Sequence, residues 1–168
     1  GLASAISSSA VLLVSAGPDA TGDPFVARVA SALGSSGSGR TILYLSTVGV
    51  YGDHAGGWVS EETPPAPGSA RSRYRLAAEH AWLDLAASSG ATVHLLRLAG
   101  IYGPGSSQVD SLRAGKARRI IKPGQVFNRI HVDDIAATCA ALLAYRGCRR
   151  IWNVADNEPT PPQYVVAY

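Results

Sequence analysis

Cysteine and long apolar runs are both scarce in this 168-residue chain. The two cysteines, Cys139 and Cys148, follow no metal-ligand spacing, so we expect no metal site. Cys139 lies in an apolar helical pattern, which predicts a buried thiol. A membrane-spanning helix needs about 20 apolar residues, and no run approaches that length. The first residues also lack the charged segment of a secretory signal. We therefore expect a soluble, non-secreted chain in a reducing compartment, either the cytoplasm or an organelle stroma or matrix.

Charge is limited as well. Charged residues make up 16% of the chain, hydrophobic residues 46%, and the formal net charge is +3. This composition is typical of a globular domain rather than a disordered chain, and the length is enough for one core. A small positive excess suits an anionic small ligand or weak contact with nucleic acid equally well. We rank nucleic acid last, because basic and aromatic residues are not interleaved as they are in RNA-binding sequences.

Short apolar and β-branched runs alternate along the chain with stretches of helical spacing. The runs predict strands at 10–16, 41–46, 92–98, 126–130 and 151–154, and helices at 2–8, 25–33, 70–88, 109–115 and 132–145. This alternation predicts an α/β fold with a mostly parallel sheet and right-handed crossovers. Because such sheets bind ligands beyond the carboxyl ends of their strands, we expect the site in loops 15–23, 46–57 and 99–107.

The first strand indicates that the fold begins elsewhere. The run at 10–16 is apolar on both faces, which is typical of a strand with a neighbour on each side. The downstream strands supply one neighbour, and no glycine-rich phosphate-binding fingerprint follows any strand. The last residues, up to Tyr168, read as the first turns of a helix. We expect this sequence to be the later part of a longer protein whose first β-α units precede it.

Four segments, in order along the chain, carry a family resemblance. They are STVGVYG at 46–52, LRLAGIYGPG at 96–105, RIHVDDIA at 129–136 and WNV at 152–154. The first resembles the fifth-strand signature of the extended short-chain dehydrogenases/reductases, the NAD-dependent epimerase/dehydratase group. The second resembles the next strand and loop of that group, and the other two resemble the segments on either side of a late helix. Together they cover almost the whole chain.

The resemblance implies a fold and a cofactor. It implies a Rossmann-type, mostly parallel, doubly wound sheet that binds NAD or NADP, with a small carboxyl-terminal substrate lobe. We assign residues 1–168 to a single domain, the later part of that fold, with 106–130 and 156–168 contributing to the lobe. The anionic substrate of such proteins is in many cases a nucleotide sugar.

The catalytic helix departs from the pattern of the group. The resemblance implies a Tyr-x-x-x-Lys pair followed, four positions after the lysine, by an acidic residue; the tyrosine is the acid/base, and the lysine lowers its pKa and holds the cofactor ribose. If Glu79 is the acidic residue, Arg75 stands at the lysine position and Arg71 at the tyrosine position. Arg71 cannot relay a proton, because a guanidinium stays protonated at any working pH. Tyr74 lies one residue before Arg75 rather than four.

Three sets of site residues follow from the resemblance. The catalytic candidates are Thr47 and Tyr74; the cofactor-binding candidates are Ser15, Ala16, Gly17, Ser46, Arg75, Gly100, Ile101 and Tyr102; the substrate-binding candidates are Tyr51, Arg71, Lys122 and Arg129. Thr47 either binds substrate near the nicotinamide or satisfies a loop backbone group. Arg71 and Arg75 share a helical face, as an anion clamp or as a solvated pair. Ser46 also suits a structural role.

The second basic group lies where members of the group hold a sugar-nucleotide diphosphate. It consists of Arg113, Lys116, Arg118, Arg119, Lys122 and Arg129. A solvated basic face is the alternative interpretation. Directly after this segment, Asp133 and Asp134 are expected to cap the following helix and to suit its positive end.

Two functions from different classes remain open ahead of RNA association. The first is an NAD(P)-binding oxidoreductase or epimerase-like enzyme with altered acid/base residues. The second is an inactive scaffold or interaction subunit that keeps the fold. The helix at 70–88 is apolar nearly all round its middle, which indicates a homodimer through this helix or a place in a larger complex.

Overall fold

The structure is a computed structural model that describes residues 1–106, 108–115 and 126–161. Its strands are β1 (Val11–Val14), β2 (Thr41–Thr47), β3 (Thr92–Leu98), β4 (Gly100–Tyr102), β5 (Arg129–His131) and β6 (Ile151–Val154). Its helices are α1 (Leu2–Ser8), α2 (Val26–Leu33), α3 (Ala70–Ser89), α4 (Gln108–Arg113) and α5 (Val132–Ala144), with a 3₁₀ turn at Val48–Tyr51. Each predicted helix and strand is present, with ends that differ by a few residues.

The main sheet has the strand order β1-β2-β3-β6, and all of its described pairs are parallel. This confirms the predicted α/β fold of Rossmann type. Alternate residues of β2 point to opposite faces. Ile42 and Tyr44 pack in a core with α2 and α3, whereas Leu43 packs in a second core with Leu142 of α5. The sheet is therefore covered on both faces at β2.

Within the described residues β1 has one neighbouring strand, which agrees with the expectation that the downstream strands supply only one. It pairs with β2 and lies at the edge of the described sheet. Val11 is 42% exposed and Leu13 is 59% exposed, whereas Val14 is buried. An apolar pattern on both faces indicates that a strand is suited to the interior of a sheet, but it does not show which segment would be its second neighbouring strand.

A small second sheet lies beyond the carboxyl end of β3. It pairs β4 with β5 in parallel, with Gly100 opposite Arg129 and Tyr102 opposite His131. The sequence analysis assigned residues 100–102 to a loop. A three-residue strand whose partner lies about 30 residues away has no local periodicity that could reveal it.

The helix α3 carries three of the candidate residues, Arg71, Tyr74 and Arg75. Ser69 is its N-cap and accepts a hydrogen bond from the Ser72 amide, and Gly90 ends it in the left-handed region at φ 77°. Its buried stripe includes Ala78, Trp82 and Leu85. None of the described helices is long and apolar enough to cross a membrane.

The cap of α5 differs from the expected one. The helix begins at Val132, and the imidazole of His131, not an acid, accepts the amide hydrogen bond from Asp133 at 3.2 Å. The prediction that Asp133 and Asp134 are the caps is therefore wrong. Both lie inside the first turn, where a carboxylate still favours the positive end of the helix.

Candidate functional site

At the end of β2, the hydroxyl groups of Ser46 and Thr47 point to opposite sides of the strand. Ser46 is buried, 5% exposed, and donates a hydrogen bond to the carboxylate of Glu79. Thr47 is half-buried and caps the 3₁₀ turn, because its Oγ1 accepts a hydrogen bond from the Gly49 amide at 3.1 Å. The structure thus places Ser46 in the interior and Thr47 at the edge where parallel sheets bind ligands. Thr47 satisfies a backbone group and retains a hydroxyl hydrogen.

Arg75 reaches from α3 across the carboxyl ends of β1 and β2. Its Nη1 donates to the carbonyl oxygens of Ala16 at 3.3 Å and Leu45 at 3.0 Å, and to the hydroxyl of Tyr44 at 3.0 Å. Its Nη2 lies 3.5 Å from the point that a Cβ of Gly17 would occupy. The structure therefore brings together Ala16, Gly17 and Arg75, all three of which are predicted cofactor-binding residues. Ser15 lies exposed beside them.

Tyr44 belongs to this cluster and was missed by sequence reasoning. It is fully buried in the middle of β2, and its ring lies 5.5 Å from the guanidinium carbon of Arg75. Burial raises the pKa of Tyr44 to about 12, although the positive charge of Arg75 opposes that rise. The sequence feature that could have revealed it is a tyrosine in the middle of an apolar strand, because a buried phenol needs a hydrogen-bond partner.

A buried ion pair joins α3 and β3 next to Ser46. Nη2 of Arg97 donates to Glu79 at 2.7 Å and Nε donates to both of its oxygens at 3.2 Å, with exposed fractions of 3% and 1%. Burial alone would lower the pKa of Arg97, but the hydrogen bonds and charge of Glu79 raise it above its usual value. With Ser46, this pair fixes the strand end against the helix.

Tyr51, a predicted substrate-binding residue, is part of this interior network. It is 2% exposed, and its hydroxyl donates to Asn153 of β6 at 2.7 Å. Its ring lies 4.7 Å from the guanidinium carbon of Arg97. The structure thus places Tyr51 under the loop that follows β2, where it joins that loop to β6.

Arg71 and Tyr74 lie on the outer part of α3. Arg71 is exposed, one turn before the half-buried Arg75, and Tyr74 is 36% exposed. The two arginines therefore differ in their surroundings, because Arg75 is held by protein acceptors and Arg71 faces solvent. Of these two arginines, Arg71 is the one that is free to move as a surface cation.

The remaining candidates lie around the β4-β5 sheet. Ile101 is 53% exposed. A Cβ on Gly100 would lie 2.5 Å from the ring of Phe127, so this position accommodates only glycine without rearrangement. Tyr102 and Arg129 line a cavity of about 830 Å³. Burial and the neighbouring carboxylate of Asp156 raise the pKa of Tyr102.

The predicted site residues therefore form two groups and not one. The first, at the ends of β1 and β2, contains Ala16, Gly17, Thr47 and Arg75, and the second, at the cavity, contains Tyr102 and Arg129. Lys122 and most of the second basic group lie outside the described residues; Arg113 is exposed. Within the part of the chain that the structure describes, no group of three His, Cys, Asp or Glu side chains could hold a metal ion.

Comparison with known proteins agrees with the fold. Residues 25–155 match the NAD dependent epimerase/dehydratase family. No curated protein matches the chain. Among solved structures, a functionally unknown conserved protein from Silicibacter pomeroyi is 48% identical with a TM-score of 0.85, over 94% of this chain and 55% of that protein. This chain thus spans about half the length of that relative.

Two more distant structures share the fold alone. RMD from Pseudomonas aeruginosa, solved with NADPH, is 20% identical with a TM-score of 0.75 over 98% of this chain and 68% of that protein. UDP-glucuronic acid 4-epimerase from Bacillus cereus, solved with NAD, has the same identity and TM-score over 96% of this chain and 59% of that protein. Because the family match covers well over half of the chain, the chain belongs to the NAD dependent epimerase/dehydratase family.

Proposed function

We propose that this chain forms the nicotinamide-side and substrate-side part of an NAD(P)-binding enzyme whose acid/base residues are altered. Arg75 carries this proposal. Its guanidinium lies at the carboxyl ends of two parallel strands, where α/β folds bind their ligands. When bound, the cofactor supplies the hydride acceptor or donor. The chain's own residues position the ligands at this edge.

The residues around Arg75 fit a cofactor. Gly17 has no side chain, and of the atoms in the described residues Nη2 of Arg75 alone comes within 4 Å of the point where its Cβ would stand. Nη1 is held by Ala16, Tyr44 and Leu45, which fixes the orientation of the guanidinium. A fixed donor beside an open space at a strand end suits a ribose hydroxyl or an anionic oxygen.

The substrate that we propose is an anionic small molecule. Arg71 is an exposed cation one turn from Arg75, and the positive end of α3 adds to the local charge. UDP-glucuronic acid is the first substrate to test, because it is the substrate of the Bacillus cereus protein that shares the fold. Arg71 cannot exchange a proton, so turnover would depend on a hydroxyl group or on water at this edge.

The test is calorimetric binding of NADH and of NADPH to the protein at its natural length. Arg75→Ala is expected to weaken cofactor binding at least tenfold, and Gly17→Val to do the same by filling the space beside Nη2. Arg73→Ala is the matched control, since Arg73 is an exposed arginine on the same helix. Unchanged binding in both Arg75→Ala and Gly17→Val would contradict the proposed position of the cofactor.

A scaffold or interaction subunit is the second candidate, and one observation favours it. The guanidinium of Arg75 joins three protein acceptors, which is a structural role that needs no cofactor. If neither NADH nor NADPH binds to the parent protein at millimolar concentration, this second function replaces the first. Turnover that depends on Thr47 would exclude it.

We also propose that the protein forms a homodimer through α3. We expect it to reside in a reducing compartment. Tyr74 and Ala77 lie on the exposed side of this helix, and Cys148 is an exposed free thiol. Light scattering of the parent protein and of Ala77→Glu tests the dimer. A mass that does not change between the two variants would contradict an interface at this position.

A further inference from the structure

One hydrogen bond joins a buried histidine of β3 to a tryptophan of β6. The indole Nε1 of Trp152 donates to Nδ1 of His94 at 3.1 Å. His94 is 1% exposed, whereas Trp152 is half-buried and lies on the strand at the edge of the described sheet. Trp152 also lines the cavity of about 830 Å³ that contains Tyr102 and Arg129. The bond therefore connects a titratable group in the interior to the wall of a cavity.

The bond to Trp152 requires a neutral His94. Because Nδ1 accepts, it carries no hydrogen, and the one hydrogen of the neutral ring is on Nε2. Nε2 is buried and has no hydrogen-bond partner among the described residues. A second proton would have to enter at Nδ1, where it would face the indole N–H, a donor against a donor. Protonation of His94 and its bond to Trp152 therefore exclude each other.

The surroundings of His94 oppose a positive charge. Burial, together with the charge of Arg150 in the loop before β6, holds the pKa of His94 below its usual value of 6.5. From the end of α5, the ring of Tyr145 lies 5.9 Å from the imidazole, and Cys139 packs in the same core as Tyr145. From β2, the residue beside His94 is the apolar Leu43. His94 therefore stays neutral near pH 7 and gains its proton only in acid.

Trp152 is the partner that is able to move. His94 is enclosed because β3 lies between β2 and β6, whereas Trp152 lies on an edge strand. The other contacts of the indole are the ring of Tyr145, at 4.9 Å, and the guanidinium of Arg149, at 5.5 Å. Arg149 is exposed and forms a 3.6 Å ion pair with Glu61, so it is a weak restraint. An indole N–H that loses its acceptor is satisfied by turning toward water.

We propose that His94 is a pH-sensitive switch that controls the position of Trp152. The neutral imidazole holds the indole in the cavity wall, and the imidazolium releases it, so that the cavity changes shape in acid. This inference goes beyond the proposed function, because it concerns regulation and not chemistry. It rests on that function only in taking the cavity beside Arg129 as a place for the substrate.

The indole N–H resonances of the ¹⁵N-labelled protein at its natural length, recorded from pH 8 to pH 5, test the switch. The Trp152 resonance, assigned with Trp152→Phe, should move with a single midpoint below 6.5, and the His94 ring should titrate with the same midpoint. It should move toward the position of Trp58, which is 83% exposed and marks an indole in water. Trp82 donates to the carboxylate of Asp23 at 3.3 Å and should not share this midpoint.

Two glutamine variants separate His94 from the other histidines. His94→Gln keeps a neutral acceptor, so it should hold Trp152 and abolish the movement of its resonance over this pH range. His80→Gln is the matched control, because His80 is an exposed histidine of α3, and it should titrate like the parent. The amide of Thr138, which lines the cavity from α5, reports the shape of the cavity. It should shift with the Trp152 midpoint in the parent and not in His94→Gln.

Three results would overturn the inference. The first is a Trp152 resonance that does not move, and the second is one that moves with the same midpoint in His94→Gln. The third is loss of the Trp82 resonance at that midpoint, because the change would then be unfolding of the domain and not a local release.

Binding of NADH and NADPH is measured at pH 7.5, where His94 is neutral. Absence of binding there would contradict the proposed function, whereas the Trp152 titration would still support the switch. A protein that binds the cofactor but shows no Trp152 titration would contradict the switch alone.

Discussion

The ion pair between Glu79 and Arg97 allows a quantitative test of what holds the site together. Glu79→Ala removes the carboxylate and leaves the guanidinium of Arg97, 3% exposed, without its opposite charge. It also removes the acceptor of Ser46. Breaking a buried pair by deleting one partner typically costs about 3–5 kcal/mol, because the remaining charge stays buried. We expect the free energy of unfolding to fall by that amount.

The double variant Glu79→Leu/Arg97→Met shows whether the unpaired charge is the cause. Replacing both members of a buried pair with apolar residues is often neutral or better, since no charge is left behind. Ser46 would still lack its acceptor, which costs about 1–3 kcal/mol. The double variant should therefore be more stable than Glu79→Ala alone.

Urea unfolding, followed by far-ultraviolet circular dichroism at pH 7, measures the free energy of unfolding of the single and the double variant. Glu62→Ala removes an exposed carboxylate and serves as the control, with an expected change within about 0.5 kcal/mol. A loss below about 1 kcal/mol for Glu79→Ala would refute the reasoning. So would a double variant that is no more stable than the single one.

Two further predictions concern other parts of the chain. Gly100→Ala should destabilise the protein by about 1–3 kcal/mol, because its Cβ would lie 2.5 Å from the Phe127 ring. Gly68→Ala is the control and should leave the stability unchanged, because its Cβ would meet no atom within 4 Å. Equal urea midpoints for the two variants would contradict this prediction. Burial, together with the charge of Arg150, lowers the pKa of His94 below its usual value of 6.5. The unfolded state therefore binds the proton more readily, and the free energy of unfolding should fall as the pH drops below that value. Unfolding midpoints between pH 7.5 and 5.5 measure this slope, which His94→Gln should reduce; an equal slope in both proteins would exclude His94 as its source.

The local elements could be predicted because their signals are local. The strand at 92–98 is an apolar run bounded by Gly90, and its observed limits agree with the prediction. The limits of α3 follow from Ser69 and Gly90, which have the cap chemistry of a helix start and stop. These features depend on residues a few positions apart, and a pattern in the sequence records them.

Contacts between distant residues could not be predicted in the same way. The bond between Tyr44 and Arg75 joins residues 31 positions apart, and the pair of β4 and β5 depends on a similar separation. The family resemblance drew attention to Arg71, whereas the structure shows that Ser72, the next residue, faces Thr47 across Gly49. Which side of a helix faces a strand end is decided by packing, and here the polar and apolar residues of α3 do not separate cleanly enough to reveal it.

The exposed edge of β1 has a practical consequence for anyone who studies these 168 residues on their own. One side of this strand bonds to β2, and no strand of the described residues pairs with its other side, which presents backbone donors and acceptors beside Leu13, 59% exposed. Such a row is a template on which a strand from another molecule can pair. A solution of this segment alone would therefore favour strand exchange and precipitation as its concentration rises, and a lysine in place of Leu13 is the simplest change that would keep it monodisperse.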